Sequence, residues 1–377
     1  MPDPESGRIG LMELTSSLKL GGLEALIKRL VESFDPQRFR VVACAIETLG
    51  CFADQIRARG YPVYCLDKKP GITPSTWLKL AGVIRRERID VVHAHNFQAL
   101  WWGVPAARLA GAACVYSVHG NFFREAAHTI RAESLFARFA TRITAVSNSS
   151  RDDLVAAGVG KPDDVIVIPN GVDVARYEIT ADRAAERARW GLPPEGPVIG
   201  LCSRIQRGKG IEHIVEAMPK LVDRFAGASA LFVGSGDMLE TYKQRAAELG
   251  VASHVAFTGY REDVPRLLAL MDLFVLPSAS EGLSMALLEA MAAGLPAVVT
   301  RVGDHAIAVA DGQTGRVIDL AEIPRLAEVL IEVLSDGSRL REMGRLARER
   351  AIELYSHRKM VQNYEGLFTQ LCRSRAS

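Results

Sequence analysis

Two kinds of hydrophobic pattern alternate along the first half of the chain. The runs "RIGLMEL", "RVVACAI", "DVVHAH", "CVYSVHG", "RITAVS" and "DVIVIPNG" are short, continuously apolar and rich in β-branched residues. They predict strands buried on both faces, as in a parallel sheet. Between them, "GLEALIKRLVESF", "STWLKLAGVIRRE", "LWWGVPAARLAG" and "SSRDDLVAAG" carry apolar positions at helical spacing. Strand–helix alternation with short connections predicts an α/β, doubly wound sheet. Around "NGVDVARYEITADRAAERARWGLPPEGP" the pattern breaks into a polar stretch bearing Pro and Gly. A second βα series follows, with "PVIGLCS", "ALFVGSG", "HVAFTG", "DLFVLPS", "PAVVT" and "GRVID" as strands. The boundary is expected near residue 175, giving Rossmann-like domains over residues 1–175 and 176–356. The tail "SRLREMGRLARERAIELYSHRKMVQNYEGLFTQL" reads as helix with a break near "YSHRK", and residues 357–377 are expected to pack back onto the first domain. Two halves of similar size imply an interdomain cleft at the carboxyl ends of both sheets, where ligands of open α/β sheets bind.

Composition narrows the class. The 377 residues exceed one ordinary core and favour two domains. Hydrophobic residues at 48% and charged residues at 24% suit a soluble globular chain. Lys+Arg at 46 against Asp+Glu at 44 gives nucleic acid no support as the main partner. Six scattered cysteines (Cys44, Cys51, Cys65, Cys114, Cys202, Cys372) form no C-x-x-C pair and are expected to be buried free thiols in a reducing cytoplasm. The start "MPDPESGRIGLMEL" does not resemble a signal peptide, and no apolar run approaches the ~20 residues of a membrane span. A cytosolic chain is expected, with any membrane attachment limited to its surface.

Two segments carry candidate chemistry. In "GLCSRIQRGKGIEHIVEAM" a strand ends near Cys202 and a helix opens at Ile211. Arg204 and Lys209 lie in the loop between, beside Gly208 and Gly210. Glycines admit close backbone approach, and a helix start offers unpaired N–H groups to an anion. With a guanidinium and an ammonium added, the loop suits a diphosphate; the alternative is a solvated basic loop. In "PSASEGLSMALLEAMAAG", Glu281 sits at a helix mouth and Glu289 on the helix, about 7.5 Å along its axis. Carboxylates beside a diphosphate would be repelled by it, but they accept hydrogen bonds from neighbouring hydroxyls such as those of a sugar. The alternatives are a charge complementing the helix dipole for Glu281 and an exposed helix face for Glu289. Taken together, cations, helix mouth and two carboxylates match the parts of one nucleotide-sugar.

"SRIQRGKG", "FVGSGDMLE", "FTGYREDVP" and "SEGLSMALLEAMAAGLP" resemble the C-terminal half of the retaining glycosyltransferases of family four, with the GT-B fold. "GGLEALIKRL", "VVHAHN", "SVHGN", "AVSNSS" and "VIPNGVD" are similar to the N-terminal half, so the likeness runs almost end to end. It implies an acceptor-binding first domain and a nucleotide-sugar-binding second domain. It further implies that Arg204 and Lys209 neutralise the leaving diphosphate, that Glu289 holds the ribose, and that Glu281 holds the transferred sugar. Amides at Gly282, Leu283 and Ser284 would assist Glu281, and the backbone around Tyr260 and Arg261 would meet the nucleobase. Gly21, Gly22 and Gly234 are implied donor contacts, a tight turn alone being the alternative at Gly21 and Gly22. His119, at the end of "CVYSVHG", is implied to face the transferred sugar, against the alternative of a satisfied core histidine. His93 and His95 share one strand face; no further ligand at metal spacing accompanies them in sequence, so hydrogen bonding is expected rather than metal binding. The family often carries a Gly-Gly-x-x-Glu segment after the strand matching "PAVVT", whereas "RVGDHAIAVADG" has only Asp304 and His305 as substitutes.

These implications describe a hexosyltransferase acting from a nucleotide-sugar, UDP by default, onto a hydroxyl of a carbohydrate or lipid-linked acceptor in bacterial surface polysaccharide or glycolipid assembly. No Asp-x-Asp triplet occurs, so metal-independent transfer with no cofactor is expected. Rivals are a nucleotide-sugar epimerase of the same fold and a non-catalytic nucleotide-sugar-binding protein. A PLP-dependent phosphorylase would need a cofactor-lysine segment that is not recognisable here. In "NFFREAAHTIRAESLFARFATR", Arg124, Arg131, Arg138 and Arg142 accompany Phe122, Phe123, Leu135, Phe136 and Phe139. Core packing of the apolar face and peripheral docking on anionic lipid at the inner membrane face are both consistent with that pattern.

Overall fold

The computed structural model describes residues 7–71, 73–119, 127–179 and 182–376. The chain divides into two compact units, Met1–Pro169 with Met360–Ser377, and Asn170–Lys359. The second unit begins upstream of the sequence break because the strand-like turn at 170–172 is tied to it. Val172 donates to the Tyr355 carbonyl at 2.8 Å, and a Cβ on Gly171 would fall 2.5 Å from the His357 backbone.

Unit 1 holds seven parallel strands: β1 (Ile9–Ser17), β2 (Phe39–Thr48), β3 (Val63–Cys65), β4 (Val91–Ala94), β5 (Ala113–Val118), β6 (Arg142–Ala145) and β7 (Val165–Val167). Their order is β3-β2-β1-β4-β5-β6-β7, so strand order reverses between β1 and β4. Unit 2 holds β8 (Val198–Cys202), β9 (Ser229–Val233), β10 (Val255–Phe257), β11 (Leu273–Leu276), β12 (Ala297–Thr300) and β13 (Gly315–Ile318), ordered β10-β9-β8-β11-β12-β13. Here the reversal lies between β8 and β11. Both sheets are doubly wound α/β layers, as the alternating pattern predicts.

Every strand expected from the pattern forms. β3 and the helix Cys51–Ala58 were not anticipated, being short and only partly buried. The polar stretch at the boundary also carries a helix, Arg183–Arg189, whose Asp182 caps the Ala185 amide at 3.1 Å. Cys44, Cys114 and Cys202 are buried free thiols, but Cys51 is exposed at a helix start and Cys65 and Cys372 are half-buried. That corrects the expectation of uniform burial. Of the amphipathic segment, Phe122, Phe123 and Arg124 lie outside the described residues. The helix Ala127–Ala137 carries Arg131, Leu135 and Phe136, with Phe136 packed on Trp101 at a ring distance of 4.3 Å, while Arg138 and Phe139 follow the helix and Arg142 opens β6. Leu135 and Phe139 remain about half exposed.

The last helix, His357–Ala376, breaks from Gly337–Tyr355 at Ser356 and buries Met360, Val361, Tyr364, Leu367, Phe368 and Leu371 in the core of unit 1. Against it lies a charge inside that core. Glu13, in the middle of β1, is fully buried, with His93 of β4 and His95 just after it alongside. Burial pushes its carboxyl pKa up, but the two imidazoles more than reverse that and hold it at about 2. Burial, reinforced by His93, lowers His95 to about 4. Both groups therefore bind protons less readily folded than unfolded, where values near 4.5 and 6.5 apply. The unfolded chain holds more protons in acid, so folding stability rises with pH over these ranges.

Unit 1 is accordingly expected to lose stability as pH falls from about 6.5 to 4 through His95, and further below about 4.5 through Glu13. Urea unfolding followed by tryptophan fluorescence, dominated in unit 1 by Trp77, Trp101 and Trp102, measures this; a urea midpoint that rises on acidification would contradict it.

Candidate active site

In unit 2 the loops after β8, β11 and β12 meet at the carboxyl edge beside the reversal of strand order, the usual ligand position of such sheets. Gly208 and Gly210 adopt left-handed backbone, and a Cβ on Gly210 would lie 2.2 Å from the Pro277 carbonyl oxygen. Glycine is thus what lets the β8 loop close onto the β11 loop. Ala279 then donates to the Gly208 carbonyl at 3.0 Å.

On this scaffold Lys209 Nζ lies 2.5 Å from Glu281 Oε1, with both side chains largely buried. Ser278, fully buried, donates to the same carboxylate oxygen at 3.2 Å, and Thr300 donates to the Ser278 carbonyl at 2.6 Å. Ser278 and Thr300 escaped sequence reasoning, since a small hydroxyl after a strand carries no distinguishing signal. Arg204 is exposed on the β8 loop.

The helix Met285–Ala292 starts directly after Gly282–Ser284. Ser284 caps it by accepting from the Leu287 amide at 3.4 Å. The remaining first-turn amides and the positive end of the helix dipole make this mouth suited to an anion. Glu289 is half-buried on the helix, and its charge adds to burial in raising the Cys202 thiol pKa at the end of β8. Glu289 thus faces β8.

The loop after β12 supports this arrangement from behind. Gly303 packs so closely that a Cβ would lie 2.2 Å from the carbonyl oxygens of Glu281 and Gly282, and the Asp304 amide donates to Gly282 at 2.8 Å. Asp304 and His305 are buried, with His305 Nδ1 3.3 Å from the Thr300 carbonyl. Burial lowers the His305 pKa. Both residues pack behind the Glu281 loop.

Gly234 follows β9 and forms a bridge to Gly259. A Cβ on Gly234 would meet the Ser203 carbonyl at 1.9 Å, so its glycine is required by the neighbouring loop itself. Tyr260 is 72% exposed, and the Arg261 guanidinium is held by Asp263 through two bonds of 2.8 and 2.7 Å.

Unit 1 has its own cluster at the β1/β4 reversal. Gly21 caps the helix Gly22–Ser33 in extended backbone, and the space above Gly22 is open. His93 Nδ1 lies 3.0 Å from Glu13 Oε2, and His95 Nε2 bonds the same oxygen. His95 Nδ1 is 3.0 Å from His119 Nε2, the two rings stacking at 5.2 Å. His93 Nε2 meets Ser117 Oγ at 2.7 Å, and Ser117 reaches the Tyr364 hydroxyl at 3.2 Å. The expectation that no acid accompanies His93 and His95 is corrected: β1 places Glu13 across from His93 in register. A glutamate within the apolar run "RIGLMEL" was the available signal. The three donor atoms lie within 4.8 Å, the one such group found among the described residues. Among the described residues it offers three protein donors, all buried, against the four of a structural zinc centre.

Comparison with known proteins agrees with both halves. The family model described as Glycosyltransferase Family 4 matches residues 20–176, and that described as Glycosyl transferases group 1 matches residues 182–350. The GDP-mannose-dependent alpha-(1-6)-phosphatidylinositol monomannoside mannosyltransferase of Mycobacterium tuberculosis is 32% identical over 320 residues, spanning 79% of this chain and 80% of that one. An Escherichia coli UDP-Gal:alpha-D-GlcNAc-diphosphoundecaprenol alpha-1,3-galactosyltransferase is 26% identical over 329 residues, spanning 84% and 85%. The crystal structure of Anabaena HepE in complex with UDP superposes with a TM-score of 0.82 at 23% identity, over 96% of this chain and 100% of that one, a likeness of fold. Two sheets each doubly wound, the paired family matches and the mycobacterial relative together establish that the chain belongs to the group 1 glycosyltransferases of family 4, with the GT-B fold.

Proposed function

We propose that the protein is a retaining hexosyltransferase that moves a sugar from a nucleoside diphosphate donor to a hydroxyl of a glycolipid or polysaccharide acceptor. The observation that carries this reading is the Lys209–Glu281 contact at the mouth of the helix Met285–Ala292, with Arg204 on the adjoining loop and Glu289 on the helix. Arg204, Lys209 and the helix amides suit the diphosphate; Glu281, with the amides of Gly282, Leu283 and Ser284, suits the transferred sugar; Glu289 suits the ribose. His119 is assigned to the transferred sugar, Gly21, Gly22 and Gly234 to close approach of the donor, and the backbone at Tyr260 and Arg261 to the base. In the reaction the sugar–phosphate bond loosens, the cations take up charge on the departing diphosphate, and the acceptor hydroxyl attacks from the same face. Its proton passes to the leaving phosphate oxygen, so the protein need supply neither a base at the anomeric carbon nor a metal.

Pairing of Lys209 with Glu281 adds a constraint that the sequence did not suggest. An arriving diphosphate competes with Glu281 for the ammonium, leaving the carboxylate to sugar hydroxyls. UDP is the donor base expected from family frequency, and the mycobacterial relative, named as GDP-mannose-dependent, supports GDP as its rival. The names of relatives acting on phosphatidylinositol mannoside and diphosphoundecaprenol support a lipid-linked acceptor and a cytoplasmic place at a membrane face. No helix of the described residues is long and apolar enough to cross a membrane. Half-exposed Leu135 and Phe139, with Arg108 5.2 Å over the Phe139 ring, support peripheral contact with anionic lipid.

Three outcomes are expected. A thermal-shift panel of UDP-, GDP- and other nucleotide-sugars stabilises the protein with one base preferred, and the double variant Arg204→Ala/Lys209→Ala loses both that shift and about 10²–10³-fold or more in kcat; unchanged binding and turnover would remove the diphosphate site. Proton NMR of the product formed in the presence of EDTA shows the donor's anomeric configuration kept, and an inverted anomer would exclude the retaining route. Anionic liposomes float the protein in a salt-sensitive manner, and Leu135→Ser/Phe139→Ser reduces the floated fraction; flotation indifferent to the pair would dismiss this surface.

A further inference from the structure

Exposed apolar side chains of unit 1 gather at one end of its sheet. The helix Phe97–Ala110 leads into β5 and the helix Ala127–Ala137 into β6, so both helices finish at the amino edge of the strands. Leu109 and Leu135 sit in those last turns and Phe139 just beyond, each about half exposed. Leu109 and Phe139, with Val104, Pro105 and Phe136, wall an apolar cavity of about 500 Å³. Apolar surface gains roughly 25 cal/mol per Å² when it leaves water, so a cavity lined this way favours a hydrocarbon occupant.

The residues interleaved with them face a different cavity. Arg138, Arg142 and Lys161 wall a space of about 480 Å³ at the start of β6 and before β7. Asp164, the acid on that wall, accepts from the Lys161 amide at 3.3 Å and so caps its own turn. Arg108 joins from the apolar side, its guanidinium 5.2 Å over the Phe139 ring. Arg85 and Arg375 bond the carbonyls of Leu109 and Gly111 at the foot of the first helix. Cations and acids nearly balance over the whole chain, 46 against 44, so this gathering of cations is local. The stretch 136–140 contributes to both walls, setting an apolar slot directly beside a basic one.

Guanidinium and ammonium groups pair with phosphate oxygens. A free phosphate would leave the apolar slot unused, and a zwitterionic lipid would bring no net charge to the cations. We propose that the amino edge of unit 1 binds one anionic phospholipid of a membrane, its phosphate among Arg138, Arg142 and Lys161 and an acyl chain against Leu109, Phe136 and Phe139. This deepens the membrane contact proposed above and rests on it for the source of the lipid, but not for the pocket. Gly21, Gly22 and His119 follow the carboxyl ends of β1 and β5, so a membrane held at the amino edge leaves their edge of the sheet clear.

A short-chain lipid below its micelle concentration separates the pocket from the membrane. Calorimetric titration of the full chain is expected to show saturable binding of dihexanoyl phosphatidylglycerol, with dihexanoyl phosphatidylcholine and inorganic phosphate each much weaker. Arg138→Ala/Arg142→Ala/Lys161→Ala is expected to weaken the first by about 10²-fold, about fivefold per cation, and to cut flotation on phosphatidylglycerol vesicles. Arg138→Lys/Arg142→Lys should keep most of the binding, and Arg59→Ala, a cation elsewhere on the unit, all of it. Equal affinity for the two lipids in the wild type would overturn the proposal even if the triple variant fails to fold, and so would inorganic phosphate matching phosphatidylglycerol. Self-association in sedimentation that Phe139→Ser abolishes would overturn it too, by assigning the apolar slot to a second copy of the chain. Flotation and lipid affinity unchanged in the triple variant would remove the pocket and leave the membrane contact. Selective binding of the short-chain lipid without flotation on any vesicle would instead refute the membrane contact and leave the pocket standing.

Discussion

The contact between the Lys209 ammonium and the Glu281 carboxylate joins two loops that leave adjacent strands on either side of the reversal in the second sheet. Neither loop would hold its shape alone. Glycines at 208 and 210 permit the approach, buried Ser278 fastens the carboxylate, and Gly303 with the Asp304 amide closes the loop from behind. The helix Met285–Ala292 follows the same loop, so the helix mouth and the charged pair are positioned together. Opposite charges at this distance also keep the region electrically balanced until a more strongly charged partner competes.

The first unit solves a similar problem in the opposite way. Its reversal also brings functional groups to neighbouring strands, but the charge there is sealed inside the sheet. Removed from water, Glu13 needs hydrogen-bond donors, and the imidazoles of His93 and His95 supply them. In the second unit Arg204 is exposed, while Lys209 is largely buried and paired with Glu281. The first unit hides an anion bonded to two imidazoles, one of which touches His119.

Much of the architecture was legible because parallel strands covered on both faces must be apolar throughout. β8 and β11 are continuous hydrophobic runs for that reason, and β4 and β5 are broken only by His93 and Ser117. β3 and the helix Cys51–Ala58 lack such a signal, since each is short and only partly covered. The helix Arg183–Arg189 was concealed in a polar stretch because its stability draws on the Asp182 cap and on partners elsewhere, among them the Arg183–Asp272 pair at 2.8 Å. Of the candidate site, Arg204, Lys209, Glu281 and Glu289 could be picked out from charged residues set among glycines and at a helix start. Ser278, Thr300 and Glu13 could not be linked to them.

The amino-acid sequence by itself determined the alternation of strands and helices, the two-domain division and the residue types gathered after β8 and β11, since these depend on local periodicity and composition. Tertiary structure alone decided that Lys209 is paired with Glu281, that Asp304 and His305 are buried, and that Glu13 meets histidines 80 and more positions away. The physical reason is that hydrogen bonds and ion pairs act over about 3 Å in space. Which strands lie side by side, and hence which distant side chains come within that reach, is set only when the sheet assembles.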